Sequence, residues 1–108
     1  MKQKIETIEE FNQLVGQNEK FLVFKHSLTC PVSQAAYDEF EGFMEAQPDV
    51  AAYYLYVQEA RPLSNYIAEE YNIKHESPQA LVFEGNTVSW NASHWKITKS
   101  SLKEGLSI

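Results

Sequence analysis

The chain has 108 residues, of which 44% are hydrophobic, and it carries a formal net charge of −6. This size and composition predict a single folded domain over residues 1–108, and the acidic balance argues against nucleic-acid binding, which needs a basic surface. No segment reaches the length of a membrane span or has the apolar core of a signal peptide. A single cysteine excludes an internal disulfide and favours a reducing, cytoplasmic location.

The first quarter of the chain predicts a strand, a helix and a buried strand. Residues 2–6 are suited to a short edge strand. Thr7 and Glu10 have the spacing of a capping box, and Gly16 marks the expected end of the helix that follows. The apolar run at residues 21–24 is typical of a strand that is covered on both faces.

The next stretch predicts a helix and a second buried strand. Apolar residues recur at helical spacing after Cys30, and Pro48 ends the pattern. The residues on the apolar face are Val32, Ala36, Phe40, Phe43 and Met44. Gly42 in this helix indicates close packing or a bend. Residues 51–57 form another apolar run, so the order strand, helix, strand implies a right-handed parallel crossover.

The last third predicts a helix, a hairpin and a closing helix. Pro62 and Asn72 mark the ends of the third helix. Two apolar stretches, 80–83 and 87–91, are separated by the dipeptide Gly85-Asn86, which is a two-residue hairpin signal.

Thr98 is suited to cap a final helix, which completes the order (β)αβαβαββα. This order predicts an α/β fold, with a mixed four- to five-stranded sheet flanked by helices on both faces. Ligands in such sheets bind beyond the carboxyl ends of the strands, which is where Cys30 lies.

The cysteine itself stands between a strand end and the first turn of a helix. Pro31 suits the first helical position, which makes Cys30 the N-cap and directs its sulfur toward the free amides near Val32 and Ser33. The helix dipole favours a thiolate there, so the segment predicts a reactive thiol. A buried, inert cysteine is the alternative.

Two motifs resemble the thioredoxin superfamily. The first is Cys-Pro-Val-Ser at residues 30–33, and the second is the pair Ser77-Pro78 before the hairpin, where the superfamily places a cis-proline across from the cysteine. More narrowly, residues 24–33 and 93–98 are similar to the YtxJ-like family, the monothiol bacilliredoxins. The resemblance implies a thioredoxin-like fold and a cis bond before Pro78.

The resemblance to bacilliredoxins also implies an activity. It is that of a monothiol thiol-disulfide oxidoreductase that removes bacillithiol, a low-molecular-weight thiol of bacteria lacking glutathione, from S-bacillithiolated client proteins. Cys30 would attack the mixed disulfide and carry bacillithiol. Ser33 replaces the resolving cysteine of dithiol thioredoxins, so a second bacillithiol or an external reductase would recycle the protein. Bacillithiol is then a co-substrate, and no metal or nucleotide is expected.

The resemblance further implies roles for the residues around the cysteine. Ser33 would donate a hydrogen bond to the thiolate, unless it is only a polar residue of the first helical turn. Ser77 and Pro78 would form a platform for an extended substrate, with a plain turn as the alternative. Thr29 and Pro31 would contact the substrate beside the sulfur.

Several other polar residues have two interpretations. His26 either adds positive charge or shuttles protons, or it is a strand-end histidine without a catalytic task. Lys25, Lys74 and His75 either meet the carboxylates of the malate group of bacillithiol or belong to a solvated surface.

The remaining aromatic side chains are assigned structural roles. Trp95 is expected to pack against the final helix, and His94 is also expected to have a structural role. The tyrosines at positions 53, 54 and 56 are expected in the core or at its rim, because no basic surface accompanies them.

Two other classes of function stay open. One is a glutaredoxin-like protein that shares an iron–sulfur cluster between subunits through Cys30 and a small thiol. The other is a redox-inactive binding module that keeps the fold, because a fold does not determine a function.

Overall fold

The computed structural model describes residues 2–108. Over this range the chain forms one mixed sheet with helices on both faces, as the sequence predicts. The strands are β1 (Lys2–Lys4), β2 (Lys20–His26), β3 (Ala52–Tyr56), β4 (Gln79–Glu84) and β5 (Thr87–Ser93). The helices are α1 (Ile8–Gln17), α2 (Pro31–Ala46), α3 (Arg61–Glu70) and α4 (Lys99–Leu106), with a short 3-10 turn at His94–Lys96.

The strand order in the sheet is β1-β3-β2-β4-β5. β3 lies parallel to both β1 and β2, whereas β4 is antiparallel to β2 and β5 is antiparallel to β4. The carboxyl ends of β2 and β3 and the start of β4 therefore meet at one edge of the sheet. The hairpin turn between β4 and β5 uses Gly85 at φ +60, a conformation that glycine adopts without a steric penalty.

The side chains of β2 alternate between two apolar cores. Phe21 and Val23 belong to the core under α1 and α3, and Leu22 and Phe24 belong to the core under α2 and α4. All four are fully buried. The prediction of a strand covered on both faces is therefore confirmed.

The predicted helix starts are confirmed by their caps. Thr7 and Glu10 form the complete capping box, and Thr98 caps α4 together with Ser101. The predicted end of α1 is one residue short, because the helix continues through Gly16 and is capped by Asn18. Asn72, by contrast, follows α3 in the left-handed conformation that ends many helices.

The prediction that Trp95 packs against the last helix is wrong. Its side chain is 72% exposed, and Trp90 packs against α4 instead. The contact with α4 is so close that a Cβ on Gly105 would lie 2.5 Å from the Trp90 ring. Trp95 lies in the turn after β5, where the sheet no longer directs side chains onto the core.

The Gly105 contact predicts opposite effects for two helical glycines. Gly105→Ala should lower the free energy of unfolding by about 1–3 kcal/mol, because the partly buried Trp90 ring must move away from α4. Gly16→Ala should raise it by about 0.5–1 kcal/mol, because alanine restricts the unfolded chain and a Cβ there meets no atom within 4 Å. Urea unfolding measures both, and equal effects of the two substitutions would contradict this packing of α4.

Candidate active site

Cys30 is the N-cap of α2 and lies beyond the carboxyl end of β2, as predicted. Pro31 begins the helix, and the carbonyl of Cys30 accepts a hydrogen bond from the Gln34 N–H at 3.2 Å. The thiol is free and partly exposed. Its sulfur makes no capping hydrogen bond, so the predicted contact with the first amides of the helix is absent. A partly exposed thiol at a helix start remains open to an approaching disulfide.

Ser33 is fully buried in the first turn of α2. Its Oγ accepts a hydrogen bond from the Ser27 N–H at 2.8 Å and lies 2.8 Å from His26 Nδ1. Both partners lie at the end of β2, and neither is the Cys30 sulfur, to which one of the two interpretations from the sequence has the hydroxyl donating. The structure thus connects the predicted site residue Ser33 to the strand that precedes the cysteine.

His26, for which the sequence leaves two interpretations open, lies beside Ser33 at the end of β2. It is 6% exposed, and its ring stacks on Tyr37 with the ring centres 4.7 Å apart. Burial lowers the pKa of His26, and the negative charge of Asp38 offsets only part of this effect. This direction favours the neutral imidazole and disfavours the interpretation that His26 supplies positive charge.

The loop at residues 27–30 is held from a second side by Gln58, which follows β3. The Gln58 side chain accepts a hydrogen bond from the Leu28 N–H at 3.1 Å and donates one to Ser27 Oγ at 2.9 Å. Thr29 and Pro31 are exposed on either side of the cysteine. Their predicted contact with substrate stays a prediction.

The Ser77-Pro78 peptide bond is cis, as the resemblance implies. Lys25 pairs with Gln79 in the β2–β4 register, so the adjacent Pro78 lies across from the end of β2. The carbonyl of Pro78 accepts a hydrogen bond from the His94 N–H at 3.1 Å, and the buried Ser77 Oγ has no hydrogen-bond partner in the described chain. The strand pairing therefore brings residues 77–78 to the same edge of the sheet as the cysteine loop.

Lys25 is not part of a solvated surface. It is fully buried because it alternates with Val23 onto the face covered by α3, and its amine donates a hydrogen bond to the Ser64 carbonyl at 3.1 Å. Burial lowers the pKa of Lys25 to about 8. His75 Nδ1 lies 3.4 Å from the amine, and burial and the Lys25 charge lower the pKa of His75. Lys74 is exposed, as expected.

His94 and Trp95 border a cavity instead of the core. The cavity measures about 360 Å³ and lies between α2 and the 3-10 turn. It is lined by Ala35, Ala36, Glu39, His94, Trp95, Ile97 and Thr98. His94 has a positive φ of 53° and bonds to Pro78, so the cavity adjoins the cis-proline. The tyrosines of β3 are half-buried, as predicted.

Residues 2–108 contain no group of three His, Cys, Asp or Glu side chains placed to hold a metal ion. Within the same range, no helix combines the length and the apolar character needed to cross a membrane.

Solved structures place this fold among the thioredoxins. Mitochondrial thioredoxin 3 of Saccharomyces cerevisiae matches with a TM-score of 0.77 and 19% identity, over 97% of this chain and 92% of that one. The thioredoxin of Fasciola hepatica matches with a TM-score of 0.77 and 14% identity, over 97% and 96% of the two chains. Fold and site together define a thioredoxin-fold protein with one cysteine, at the N-cap of α2.

The family is narrower than the fold. The family model "Monothiol bacilliredoxin BrxC" matches residues 3–102. A protein described as having a thioredoxin fold and a proposed oxidoreductase activity is 44% identical, with a TM-score of 0.90 over 96% of this chain and 92% of that one. The chain belongs to the monothiol bacilliredoxin family, which confirms the resemblance found in the sequence.

The buried amine of Lys25 predicts a pH-dependent stability. Between pH 8 and the ordinary pKa of 10.5 the unfolded chain holds the lysine proton and the folded chain loses it, so the folded state gains stability as the pH rises. Lys25→Met has no titratable amine at this position. The stability of this variant relative to the wild type should therefore fall by up to about 3 kcal/mol across this range.

Urea unfolding at several pH values between 7 and about 10.5 measures this difference. Lys74→Met, at an exposed lysine, controls for the loss of one positive charge. A stability difference between Lys25→Met and wild type that stays constant with pH would contradict the burial of the Lys25 amine.

Proposed function

We propose that this protein is a monothiol thiol-disulfide oxidoreductase that removes bacillithiol from S-bacillithiolated proteins. The observation that carries the proposal is a single, partly exposed thiol at the N-cap of α2 in a chain of the monothiol bacilliredoxin family. The N-terminal end of a helix stabilises a thiolate, which is the nucleophile in disulfide exchange. The absence of a second cysteine limits the protein to exchange with another thiol molecule.

In the first step the Cys30 thiolate attacks the bacillithiol sulfur of the mixed disulfide. A bond forms between Cys30 and bacillithiol, and the bond between bacillithiol and the client sulfur breaks. The electron pair of the broken bond stays on the client sulfur, which leaves as a thiolate and takes a proton from water. The client cysteine is reduced, and Cys30 is oxidised to a mixed disulfide.

In the second step a thiol from outside the chain removes the adduct. Ser33 stands where dithiol relatives have a resolving cysteine, and its hydroxyl cannot attack a disulfide in its place. A second bacillithiol attacks the adduct, restores the Cys30 thiolate and leaves as bacillithiol disulfide, or an external reductase does the same. Bacillithiol is thus a co-substrate, and the reducing cytoplasm is the compartment that suits this cycle.

The client binds, in this proposal, beside the cis-proline. Ser77 presents its backbone groups to an extended client segment at the edge of the sheet where the cysteine loop lies. Thr29 and Pro31 flank the sulfur and are exposed, which supports their contact with the client. The partners are therefore S-bacillithiolated proteins and bacillithiol itself.

Two substitutions separate the nucleophile from its neighbour. Cys30→Ala should abolish the release of bacillithiol from a bacillithiolated peptide, because the variant contains no thiol. Ser33→Ala should slow the release at most severalfold, because the loss of a hydrogen bond leaves the thiol in place. Mass spectrometry of the peptide measures the rate, and thermal unfolding checks that both variants fold. Release by Cys30→Ala above the uncatalysed rate would refute the mechanism.

The identity of the thiol is tested separately. Incubation with oxidised bacillithiol near neutral pH should add one bacillithiol to the wild-type chain, faster than oxidised glutathione adds one glutathione. Intact mass measures both adducts, and Cys30→Ala is the control that should gain neither. Equal and slow reaction with the two disulfides, or reaction only above about pH 8, would instead support a redox-inactive binding module.

A further inference from the structure

A buried chain of hydrogen bonds lies beneath the first turn of α2. It runs from His26, the last residue of β2, to Ser33 Oγ, which also accepts a hydrogen bond from the Ser27 N–H. Both contacts measure 2.8 Å. Ser33 is fully buried and His26 is 6% exposed, so water has little access to compete for these bonds. The chain joins the end of the strand to the helix that begins after Cys30.

The contact between His26 and Ser33 is a hydrogen bond with either neutral tautomer of the histidine. Ser33 Oγ accepts from Ser27, and its own proton needs an acceptor because an unpaired buried hydroxyl is costly. Nδ1 of a neutral His26 is an acceptor when the ring proton is on Nε2. Burial lowers the pKa of His26 and favours the neutral ring. With either neutral tautomer Nδ1 of His26 and Oγ of Ser33 are bonded to each other at 2.8 Å, so the histidine fixes the position of the Ser33 side chain.

The imidazole orientation is set by its neighbours. The ring stacks on Tyr37 at 4.7 Å and on Phe24 at 5.7 Å, and Tyr56 packs at 5.4 Å. These contacts keep Nδ1 directed at Ser33. The ring thus acts as a fixed hydrogen-bond partner for a side chain that lies one helical turn after the cysteine.

This arrangement holds both ends of the loop that presents the thiol. Ser27 lies three residues before Cys30 and Ser33 lies three residues after it, and their hydrogen bond joins the two ends. We propose that His26 is a positioning residue: it orients Ser33, and through Ser33 it sets the geometry of Cys30, without touching the substrate. The proposal rests on Cys30 as the nucleophile of the proposed function.

Two substitutions of His26 separate its hydrogen bond to Ser33 from its stacking on the aromatic rings. His26→Phe keeps a flat ring in the stack and removes the hydrogen-bond partner of Ser33. His26→Asn removes the ring and places a polar atom close to the position of Nδ1. A purely structural role through stacking predicts that the phenylalanine variant behaves like wild type, and that the asparagine variant is the impaired one. A positioning role predicts the reverse order for the reactivity of Cys30.

The experiment measures the rate of Cys30 alkylation by iodoacetamide and the rate of adduct formation with oxidised bacillithiol, both near neutral pH. His26→Phe and Ser33→Ala should each slow both reactions about threefold to fivefold, as expected for one lost hydrogen bond. The double variant should be no slower than either single one, because both remove the same interaction. His26→Asn should stay within about twofold of wild type, even though thermal unfolding shows a lower stability.

A folded His26→Phe variant that reacts at the wild-type rate overturns the proposal, as do fully additive effects of the two single substitutions. If His26→Phe does not fold, Ser33→Ala tests the proposal in its place, because it leaves the aromatic stack intact. A Ser33→Ala variant in which Cys30 reacts at the wild-type rate overturns the proposal. Alkylation by iodoacetamide does not involve bacillithiol, so it tests the role of His26 independently of the proposed function. Slower alkylation in the variants, together with a wild-type chain that forms no bacillithiol adduct, would refute the proposed function and support the role of His26.

Discussion

The burial of β2 between two helical layers is the constraint on which the rest of the structure depends. Its apolar side chains fill both cores, and its backbone pairs with β3 on one side and β4 on the other. The cysteine loop leaves from its carboxyl end. The antiparallel pairing with β4 brings Pro78 to that same end, so one strand positions both the thiol and the cis-proline.

The same strand carries two polar residues into the two cores, and the protein accommodates each of them differently. Lys25 faces α3, and its amine is bound to the Ser64 carbonyl. His26 faces α2, where burial lowers its pKa and its Nδ1 lies 2.8 Å from Ser33 Oγ. Cys30 itself lies at the start of α2, where a helix dipole favours negative charge. Ser33 occupies the position of the resolving cysteine of dithiol thioredoxins, and its buried hydroxyl is hydrogen-bonded to the end of β2.

Much of the fold could be predicted from local patterns in the sequence. Three motifs act within a few residues and can therefore be recognised without the rest of the chain: the capping box at Thr7, the proline after Cys30 and the hairpin signal at Gly85-Asn86. The alternation of apolar and polar residues sufficed for the order of strands and helices. The cysteine was identified as the candidate nucleophile for the same reason, because its place at a helix start is a local property.

The sequence by itself determined the elements, the single thiol and its position at the N-cap. Only the tertiary structure decided which distant groups meet. Three such contacts are the hydrogen bond of His26 with Ser33, the burial of Lys25, and the packing of Trp90 instead of Trp95 against α4. Each depends on the face of the sheet to which a residue points and on the helix that covers that face. The pairing of strands that are far apart in the chain sets those faces, and no local pattern encodes that pairing.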